Sequence, residues 1–331
     1  MRSLGRLFFL VFCIVVLSSS ACAAGWKALD IESGYGKTLI DHINHPETEP
    51  DFSLDMSQDI LEVAFPKIKE CDAALLRFQG ETMLIDCGEV RQVSAVQEML
   101  SAMHVTNLSS VLITHPHPDH AGGLRTLAET MPIGKIYVCF PHDENAVMQE
   151  VIAVSEQYDI PVVDFGDEDD IPLGELNLHA YIKVEKGFTV NNRSPLLRLQ
   201  YGERVMHFAS DMERLALRKA GNEIPPEMLK TEILKYPHHG KDPLVHEYWI
   251  PTALELTVIT SDHATRNGKV DVIQNKHWPC LFTYDGMILI RSDGKSWLVE
   301  RLEDDGYSQA PDEAPGKETT EDGAIVVRVG S

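Results

Sequence analysis

Four potential metal ligands lie within six consecutive residues of this sequence: His115, His117, Asp119 and His120. They follow the apolar run 110–114, which is typical of a buried strand. Residues two apart in an extended backbone point to the same side, so both His115 and His117 should face one volume. Two intervening prolines should hold the aspartate and the third histidine in an open loop, away from helical geometry. Imidazole and carboxylate together suit zinc, and also manganese or iron. The sequence therefore predicts a metal site at the end of a strand.

Three further positions repeat this arrangement of a potential ligand directly after a predicted strand. Asp86 follows strand 81–85, and Asp211 follows strand 204–209. The pair His238-His239 follows strand 231–235. These strand-end positions recur along the chain in the order Asp86, the His115 cluster, Asp211 and His238-His239.

The remaining pattern predicts many short strands separated by a few helices. Helices are predicted at 90–103, 121–131, 144–158 and 212–220. The other predicted strands are 60–64, 73–78, 135–140, 161–165, 176–184, 196–201, 256–260, 281–284, 287–291 and 297–301. This alternation predicts a mixed α/β (α+β) fold in four layers, an αββα sandwich with two sheets between helices.

The charge balance restricts the class of partner. The 331-residue chain has 29 Lys and Arg against 51 Asp and Glu, a formal net charge of −22. Such a field repels phosphate backbones, so extended nucleic-acid binding is disfavoured. A bound metal cation reverses the field locally, so a small or cell-surface phosphoester remains a suitable substrate.

The first 24 residues have the features of a signal peptide. Arg2 and Arg6 precede the apolar run 7–17, and Ala21-Cys22-Ala23 fits an A-x-A cleavage site. The run is too short to span a membrane, so we expect export to the periplasm or the medium. Lipoprotein anchoring at Cys22 is the less favoured alternative.

Composition divides the rest of the chain into three parts. Residues 25–58 are polar and form an N-terminal extension, 59–302 form the folded domain, and 303–331 form an acidic, flexible tail. Cys71 and Cys87 flank a predicted hairpin, so a disulfide between them is compatible with an oxidising compartment.

The ordered series of strand-end residues resembles the metallo-β-lactamase superfamily over residues 61–302. Within it, the sequence is most similar to the hydrolase domain of ComEC-type competence proteins and to secreted phosphorylcholine esterases. The motifs that carry this resemblance are Asp86 with Gly88, the H-x-H-x-D-H-x-G-G element from His115 to Gly123, Asn192 to Ser194, Ser210-Asp211, and His238-His239-Gly240-Lys241.

The resemblance implies two bound metal ions, with zinc favoured over manganese or iron. His115 and His117 would bind the first ion. Asp119 and His120 would bind the second. Asp211 would bridge both ions, which would hold and activate a water between them.

The resemblance also implies roles for three other residues. One member of the His238-His239 pair would complete the second metal site, and the other would face the substrate as a phosphate donor or general acid. Asp86 would orient the histidine loop through hydrogen bonds. The residues expected to act in catalysis are Asp119, His238 and His239.

Three family elements are altered or missing in this chain, and one of them is the Tyr-Gly-His-Pro element, which is missing after Asn267-Gly268. The family's Asp-Val-Gly-Gln-Gly-Asp opening corresponds to residues 66–72, where only Asp72 matches. A third histidine on the first metal is missing, and Asn192 or Ser194 stands near its position. His207 could approach the site from a predicted strand, although a core histidine is the favoured interpretation. The other histidines in this interval are His142 and His179.

The function expected from these features is that of an exported, metal-dependent hydrolase acting on a phosphodiester. Two alternatives stay open. One is a hydrolase of a lactone, thioester or β-lactam on the same scaffold, and the other is a non-catalytic domain that binds metal or a partner.

Overall fold

The computed structural model describes residues 54–262 and 280–302, together with the backbone of two outlying strands. The predicted signal peptide and most of the extension and tail lie outside the described residues. The strands are β1 (Trp26–Leu29), β2 (Leu61–Phe65), β3 (Ala74–Phe78), β4 (Glu81–Ile85), β5 (Ser110–Ile113), β6 (Ile136–Val138), β7 (Val162–Asp164), β8 (Asp170–Leu173), β9 (Leu176–Tyr181), β10 (Leu196–Tyr201), β11 (Arg204–Phe208), β12 (Ile233–Lys235), β13 (Leu256–Ile259), β14 (Cys280–Phe282), β15 (Met287–Ser292), β16 (Trp297–Leu302) and β17 (Arg328–Val329). The helices are α1 (Val93–Ala102), α2 (Pro118–Ala121), α3 (Leu124–Thr130), α4 (Ala146–Gln157), α5 (Arg214–Glu223) and α6 (His246–Trp249).

The strands form two sheets. The first has ten strands in the order β1-β16-β15-β2-β3-β4-β5-β6-β7, and β17 also pairs with β16. The second has seven strands in the order β14-β13-β12-β11-β10-β9-β8. Each sheet has an antiparallel half and a parallel half, and the parallel strands are β4 to β7 in the first and β11 to β14 in the second.

Alternation along the strands separates the inner core from the outer layers. In β2, Val63 and Phe65 belong to the core between the two sheets, which also takes Met206 and Phe208 from β11. Ala64, which lies between Val63 and Phe65 in β2, faces outward and packs against the helices. Successive side chains of a strand point to opposite faces, so one strand serves two cores.

Helices cover both outer faces of the two sheets. Residues of α1, α3 and α4 pack on the outer face of the first sheet, and residues of α5 and α6 pack on the second. The α5–α6 contact is close, because Gly221 lies against the backbone of Glu247. The four-layer αββα prediction is confirmed.

Parallel strands determine where the predicted ligands lie. The ends of β4 and β5 in the first sheet, and of β11 and β12 in the second, precede Asp86, the His115 loop, Asp211 and the His238-His239 turn. Since the carboxyl ends of parallel strands share an edge, both sheets present these loops on one side of the sandwich.

One local prediction is wrong. The residues after His117 do not form an open loop, because Pro118 is the first residue of helix α2, which carries Asp119 and His120. Proline is favoured at the first helical position, because a backbone N–H at that position would have no partner within the helix. The following Gly122 and Gly123 separate α2 from α3.

Two further findings concern the disulfide that the sequence allowed and the presence of membrane-spanning helices. Cys71 and Cys87 are both buried and both are free thiols, so the disulfide that the sequence allowed is not formed. None of the helices in the described part of the chain has the length and apolar character that a membrane-spanning helix needs.

Candidate metal centre

The four residues Asp119, His120, Asp211 and His239 bring ligand atoms within 4.8 Å of one another. His120 Nε2 lies 3.2 Å from Asp211 Oδ1, and His239 Nε2 lies 3.3 Å from Asp119 Oδ2 and 3.5 Å from Asp211 Oδ2. Two of these residues come from helix α2 on the first sheet and two from loops of the second sheet. The cluster therefore spans the junction between the sheets.

The unpaired atoms of this cluster fit a metal cation. His120 Nε2, His239 Nε2 and Asp211 Oδ1 are buried, and none makes a well-directed hydrogen bond to the described residues, although His120 Nε2 and Asp211 Oδ1 are only 3.2 Å apart. A buried polar atom without a partner costs about 1–3 kcal/mol, so three that converge on one point need an explanation. Two imidazoles and two carboxylates are a donor set that zinc accepts, and other divalent metals accept it too.

Asp86 holds His120 in a defined orientation. Its Oδ2 accepts a hydrogen bond from His120 Nδ1 at 2.8 Å. The same carboxylate accepts bonds from the backbone N–H of Thr114 at 2.9 Å and from its hydroxyl at 2.7 Å. Because a carboxylate only accepts, one imidazole proton is placed on Nδ1. Nε2 faces the cluster, and a bound metal ion would take the place of a second proton on that nitrogen.

Thr260 and Asp72 orient His239 in the same way. His239 Nδ1 donates to Thr260 Oγ1 at 3.0 Å, and the threonine hydroxyl donates in turn to Asp72 Oδ1 at 2.5 Å. His239 Nδ1 also lies 3.1 Å from Asp72 Oδ1. Here, too, the ring is left with Nε2 available inside the cluster.

His115 and His117 lie beside this cluster. His115 Nε2 and His117 Nδ1 are 3.1 Å apart, as the shared side of an extended backbone predicts. His115 Nε2 lies 3.8 Å from Asp211 Oδ2, which places Asp211 between the two groups of ligands. His115 is buried and His117 is half-buried, so this half of the centre is the more open one.

His238 lies at the rim and has different partners from His239. Its Nδ1 donates to Asp242 Oδ2 at 2.8 Å, and its Nε2 lies 3.4 Å from the amide nitrogen of Asn191. The Nε2 atom is also 3.8 Å from Asp211 Oδ2. The arrangement therefore assigns His239, and not His238, to the four-residue cluster.

Backbone strain accompanies the turns that present these side chains. Asp86, Ser210, His238 and His239 all have positive φ angles, of 57°, 43°, 49° and 50°. Such left-handed conformations are uncommon outside glycine and concentrate at functional sites. Adjacent left-handed residues at 238 and 239 direct the two imidazoles to different surroundings.

The electrostatics of the cluster favour positive charge. Burial lowers the pKa of His120, but the Asp211 and Asp86 carboxylates outweigh it and raise that pKa well above its usual value. Burial likewise opposes charge on His239, and Asp211 with Asp72 raises its pKa. Burial raises the pKa of Asp211, but the two histidines hold it well below its usual value. The carboxylates thus stay ionised at a point where a cation would be attracted.

Sequence comparisons match the first part of the domain. A family model described as "Anti-Pycsar protein Apyc1" matches residues 63–135. The chain is 28% identical to ribonuclease Z of Methanopyrus kandleri over 107 residues, which are 32% of this chain and 37% of the relative. It is 38% identical to ribonuclease Z of Metallosphaera sedula over 89 residues, which are 26% of this chain and 30% of the relative. These matches span about a third of the length of the curated relatives.

Structure comparisons match a larger part of the chain. The metallo-β-lactamase fold protein YhfI from Bacillus subtilis aligns over 67% of this chain and 95% of its own, with 11% identity and a TM-score of 0.45. The metallo-β-lactamase SMB-1 bound to 2-mercaptoethanesulfonate aligns over 53% and 79%, with 17% identity and a TM-score of 0.37. The chain itself has a mixed α/β fold with two multi-strand sheets between helices, and its histidine-rich loop lies at the end of β5.

Several candidate residues lie away from the centre. His207 is buried, and its Nδ1 lies 3.1 Å from the Tyr248 hydroxyl, so it is a core histidine. His142 pairs with Asp164 on the surface. The other two are His179, which pairs with Glu168 and Asp170, and Asn192, which contacts Thr189 and Glu213.

Four residues that support the centre were not predicted from the sequence. Thr260 and Asp242 hold the two histidines of the 238–239 turn, and Asn191 contacts His238. Lys235 is buried under the centre and pairs with Asp72. The one available signal was a lysine at the end of the otherwise apolar strand β12.

Proposed function

We propose that this protein is an exported hydrolase that requires divalent metal, with two zinc ions as the favoured complement, and that it cleaves a phosphodiester. The observation that carries the proposal is the convergence of Asp119, His120, Asp211 and His239 on one point, with three buried ligand atoms left unpaired. A purely structural polar cluster would be expected to satisfy its own hydrogen bonds.

The chain offers ligands for two ions. Asp119, His120 and His239 would hold one, and His115 with His117 would hold the other. Asp211, which faces both groups, would bridge them. When bound, divalent metal ions supply Lewis acidity, which makes water more acidic and stabilises negative charge that develops on oxygen.

The protein's own groups supply orientation and proton transfer. Asp86 and the Thr260–Asp72 pair keep the imidazole protons on Nδ1, so that the Nε2 atoms remain free to bind. His238 is held at the rim by Asp242 and presents Nε2 toward the centre. In its doubly protonated form, the ring would donate a proton from Nε2 to a leaving-group oxygen, as the general acid.

One observation supports a phosphodiester as the substrate, and a second supports a small one rather than long RNA or DNA. The curated relatives are named ribonucleases, and RNA is joined by phosphodiester bonds. The net charge of −22 would oppose the approach of an extended polyanion. We therefore propose a small-molecule or cell-surface phosphoester as the substrate.

Metal analysis combined with a substrate panel tests the proposal. The purified chain should contain or take up about two zinc ions and hydrolyse bis-p-nitrophenyl phosphate, with turnover removed by a chelator and restored by metal. Asp211→Asn should lose this turnover by about 10²-fold or more, since it weakens the bridging ligand. Asp143→Asn, which changes an exposed aspartate, is the matched control.

Other results of the same panel would contradict the proposal. Turnover of a chromogenic lactam or a lactone without diester cleavage would indicate an acyl hydrolase. Bound metal without any turnover would indicate a non-catalytic domain. The export step is tested by cell fractionation, and a chain that keeps Met1 and stays in the cytosol would contradict it.

A further inference from the structure

A lysine is buried beneath the candidate metal centre. Lys235 is the last residue of β12, and its side chain is 4% exposed. Its Nζ forms an ion pair with Asp72 Oδ2 and donates a hydrogen bond to the carbonyl oxygen of Ser210 at 3.1 Å. Lysine is almost never buried unless it is paired, so this placement calls for a specific reason.

Both partners of Lys235 are close to a proposed metal ligand, one through a side-chain contact and the other as its neighbour in the sequence. Asp72 contacts His239 and Thr260 through its other oxygen, as described above. Ser210 precedes Asp211, and its carbonyl oxygen also accepts the backbone N–H of His238 at 3.0 Å. The ammonium group therefore connects the turn that presents Asp211 with the turn that presents His239.

The backbone of Asp72 extends these connections to the first sheet. Its N–H donates to the carbonyl oxygen of Asp119 at 3.0 Å, and its own carbonyl oxygen accepts from Gly88 N–H at 2.7 Å. Asp72 Oδ2 also lies 3.9 Å from His120 Nδ1. One buried residue thus contacts the segments that carry the ligands from both sheets.

Stability alone does not explain a buried ion pair. The desolvation of both charges offsets much of their attraction, and apolar side chains of similar volume are often as stable or more so. Asp72, Asp86 and Asp211 also place three carboxylates in one buried region. A fixed ammonium group balances part of that charge without a metal ion.

We propose that Asp72 and Lys235 form a positioning pair, which holds Asp211 and His239 in the geometry that binds metal. Lys235 keeps the Asp72 carboxylate directed at His239 and fixes the Ser210 carbonyl group at the Asp211 turn. In this role the pair acts through these two ligands. The inference rests on the part of the proposed function that concerns metal binding.

The test compares metal affinity in variants that remove one or both charges. Lys235→Met should weaken Co²⁺ binding about 10–100-fold, the usual cost of losing an outer partner of a ligand. The double variant Asp72→Leu/Lys235→Met leaves no unpaired charge, so it should fold and still bind Co²⁺ weakly. Its Co²⁺ absorption spectrum should also differ from that of the wild type, because His239 loses its orienting partner.

Lys183→Met is the matched control. Lys183 is also poorly exposed, at 14% of its side chain, and pairs with Asp167 and Glu168. Its variant should keep wild-type Co²⁺ affinity and spectrum. Thermal unfolding in the presence of chelator shows which variants are folded.

The possible outcomes separate this inference from the proposed function. A folded single or double variant with wild-type affinity and spectrum would overturn the positioning role alone. Failure of both variants to fold would overturn it as well, since the pair would then be a requirement of the fold. A wild-type chain that binds Co²⁺ but cleaves no diester would overturn the proposed function, while the affinity comparison still decides the positioning role. No Co²⁺ uptake by the wild type would overturn both.

Discussion

His238 and His239 are adjacent in the sequence, yet they have different partners and so should have different roles. We predict that His239→Gln loses about one metal ion per chain, because its Nε2 is one of four converging ligand atoms. His238→Gln should keep the metal and lose about 10²–10⁴-fold in kcat, the range expected when a general acid is removed. Metal analysis and steady-state kinetics on the diester check both variants.

His246→Gln is the control for this pair, since His246 begins helix α6 and packs against Trp249. It should change neither metal content nor kcat. If His238→Gln lost the metal instead, His238 would be a ligand of the first ion and the proton would need another donor.

For single residues, the sequence predicted which residue types could bind metal better than it predicted which of two neighbouring histidines belongs to the cluster. The spacing of His115 and His117 predicted their contact, because strand geometry is local and regular. The difference between His238 and His239 depends on two successive left-handed residues and on Thr260, which is 21 residues away. No periodicity in the sequence encodes either feature.

Helix α2 is the element on which the centre depends most closely. A Cβ atom built on Gly123, directly after this helix region, would lie 2.2 Å from the Cys87 carbonyl oxygen and 2.9 Å from Val93 Cγ2. Because Gly123 has no side chain, α2 and α3 can lie close to the Asp86 turn. The hydrogen bond from Cys87 N–H to the His120 carbonyl oxygen, at 2.6 Å, also shows this close approach. The glycine is thus required for space rather than for a left-handed backbone.

We predict that Gly123→Ala destabilises the domain by about 1–3 kcal/mol, the usual cost of overpacking. For a domain of this size the melting temperature should fall by about 2–4 °C per kcal/mol. Metal affinity should fall as well, because α2 carries both Asp119 and His120. Gly166→Ala is the control, since the nearest atom to its Cβ is a flexible Asp169 oxygen at 3.5 Å. A Gly123→Ala protein with unchanged melting temperature and affinity would contradict this account.

The prolines of the histidine loop explain why α2 was missed. Proline was expected to prevent helical geometry, and that expectation holds in a helix interior. Pro118 instead occupies the first position of a four-residue helix, where proline is favoured. Short helices of one turn carry too little periodicity to be recognised from sequence.

The fold as a whole was predictable because it follows from local patterns repeated many times. Alternation along each strand and the apolar stripes of the helices specify two sheets between helices. The Asp72–Lys235 pair was not predictable, because it joins residues 163 positions apart and lies under loops of two different sheets. The pair balances part of the charge of several buried carboxylates. That relation is visible only in the folded structure, where these charges lie in one region.

The position of the centre between the sheets leads to a prediction for the entire domain. Asp119 and His120 belong to helix α2, which follows β5 of the first sheet, and Asp211 and His239 belong to turns that follow strands of the second sheet. A bound ion would therefore cross-link the two halves of the sandwich and stabilise the native state over the unfolded chain. At a free metal concentration of about 100 times Kd, the gain is about 2.7 kcal/mol. We predict that chelation lowers the melting temperature by roughly 5–11 °C, from about 2–4 °C per kcal/mol in a domain of this size.

Differential scanning calorimetry with and without chelator measures this shift. The Asp211→Asn variant should melt at a temperature that responds much less to chelator, because it lacks the ligand shared by both groups. Asp143→Asn should respond as the wild type does. Equal melting temperatures with and without chelator in a wild-type sample that binds metal would mean that the ion does not couple the sheets. The loops at the carboxyl ends of β4, β5, β11 and β12 would then be held in place by the protein's own contacts, chief among them the Asp72–Lys235 pair.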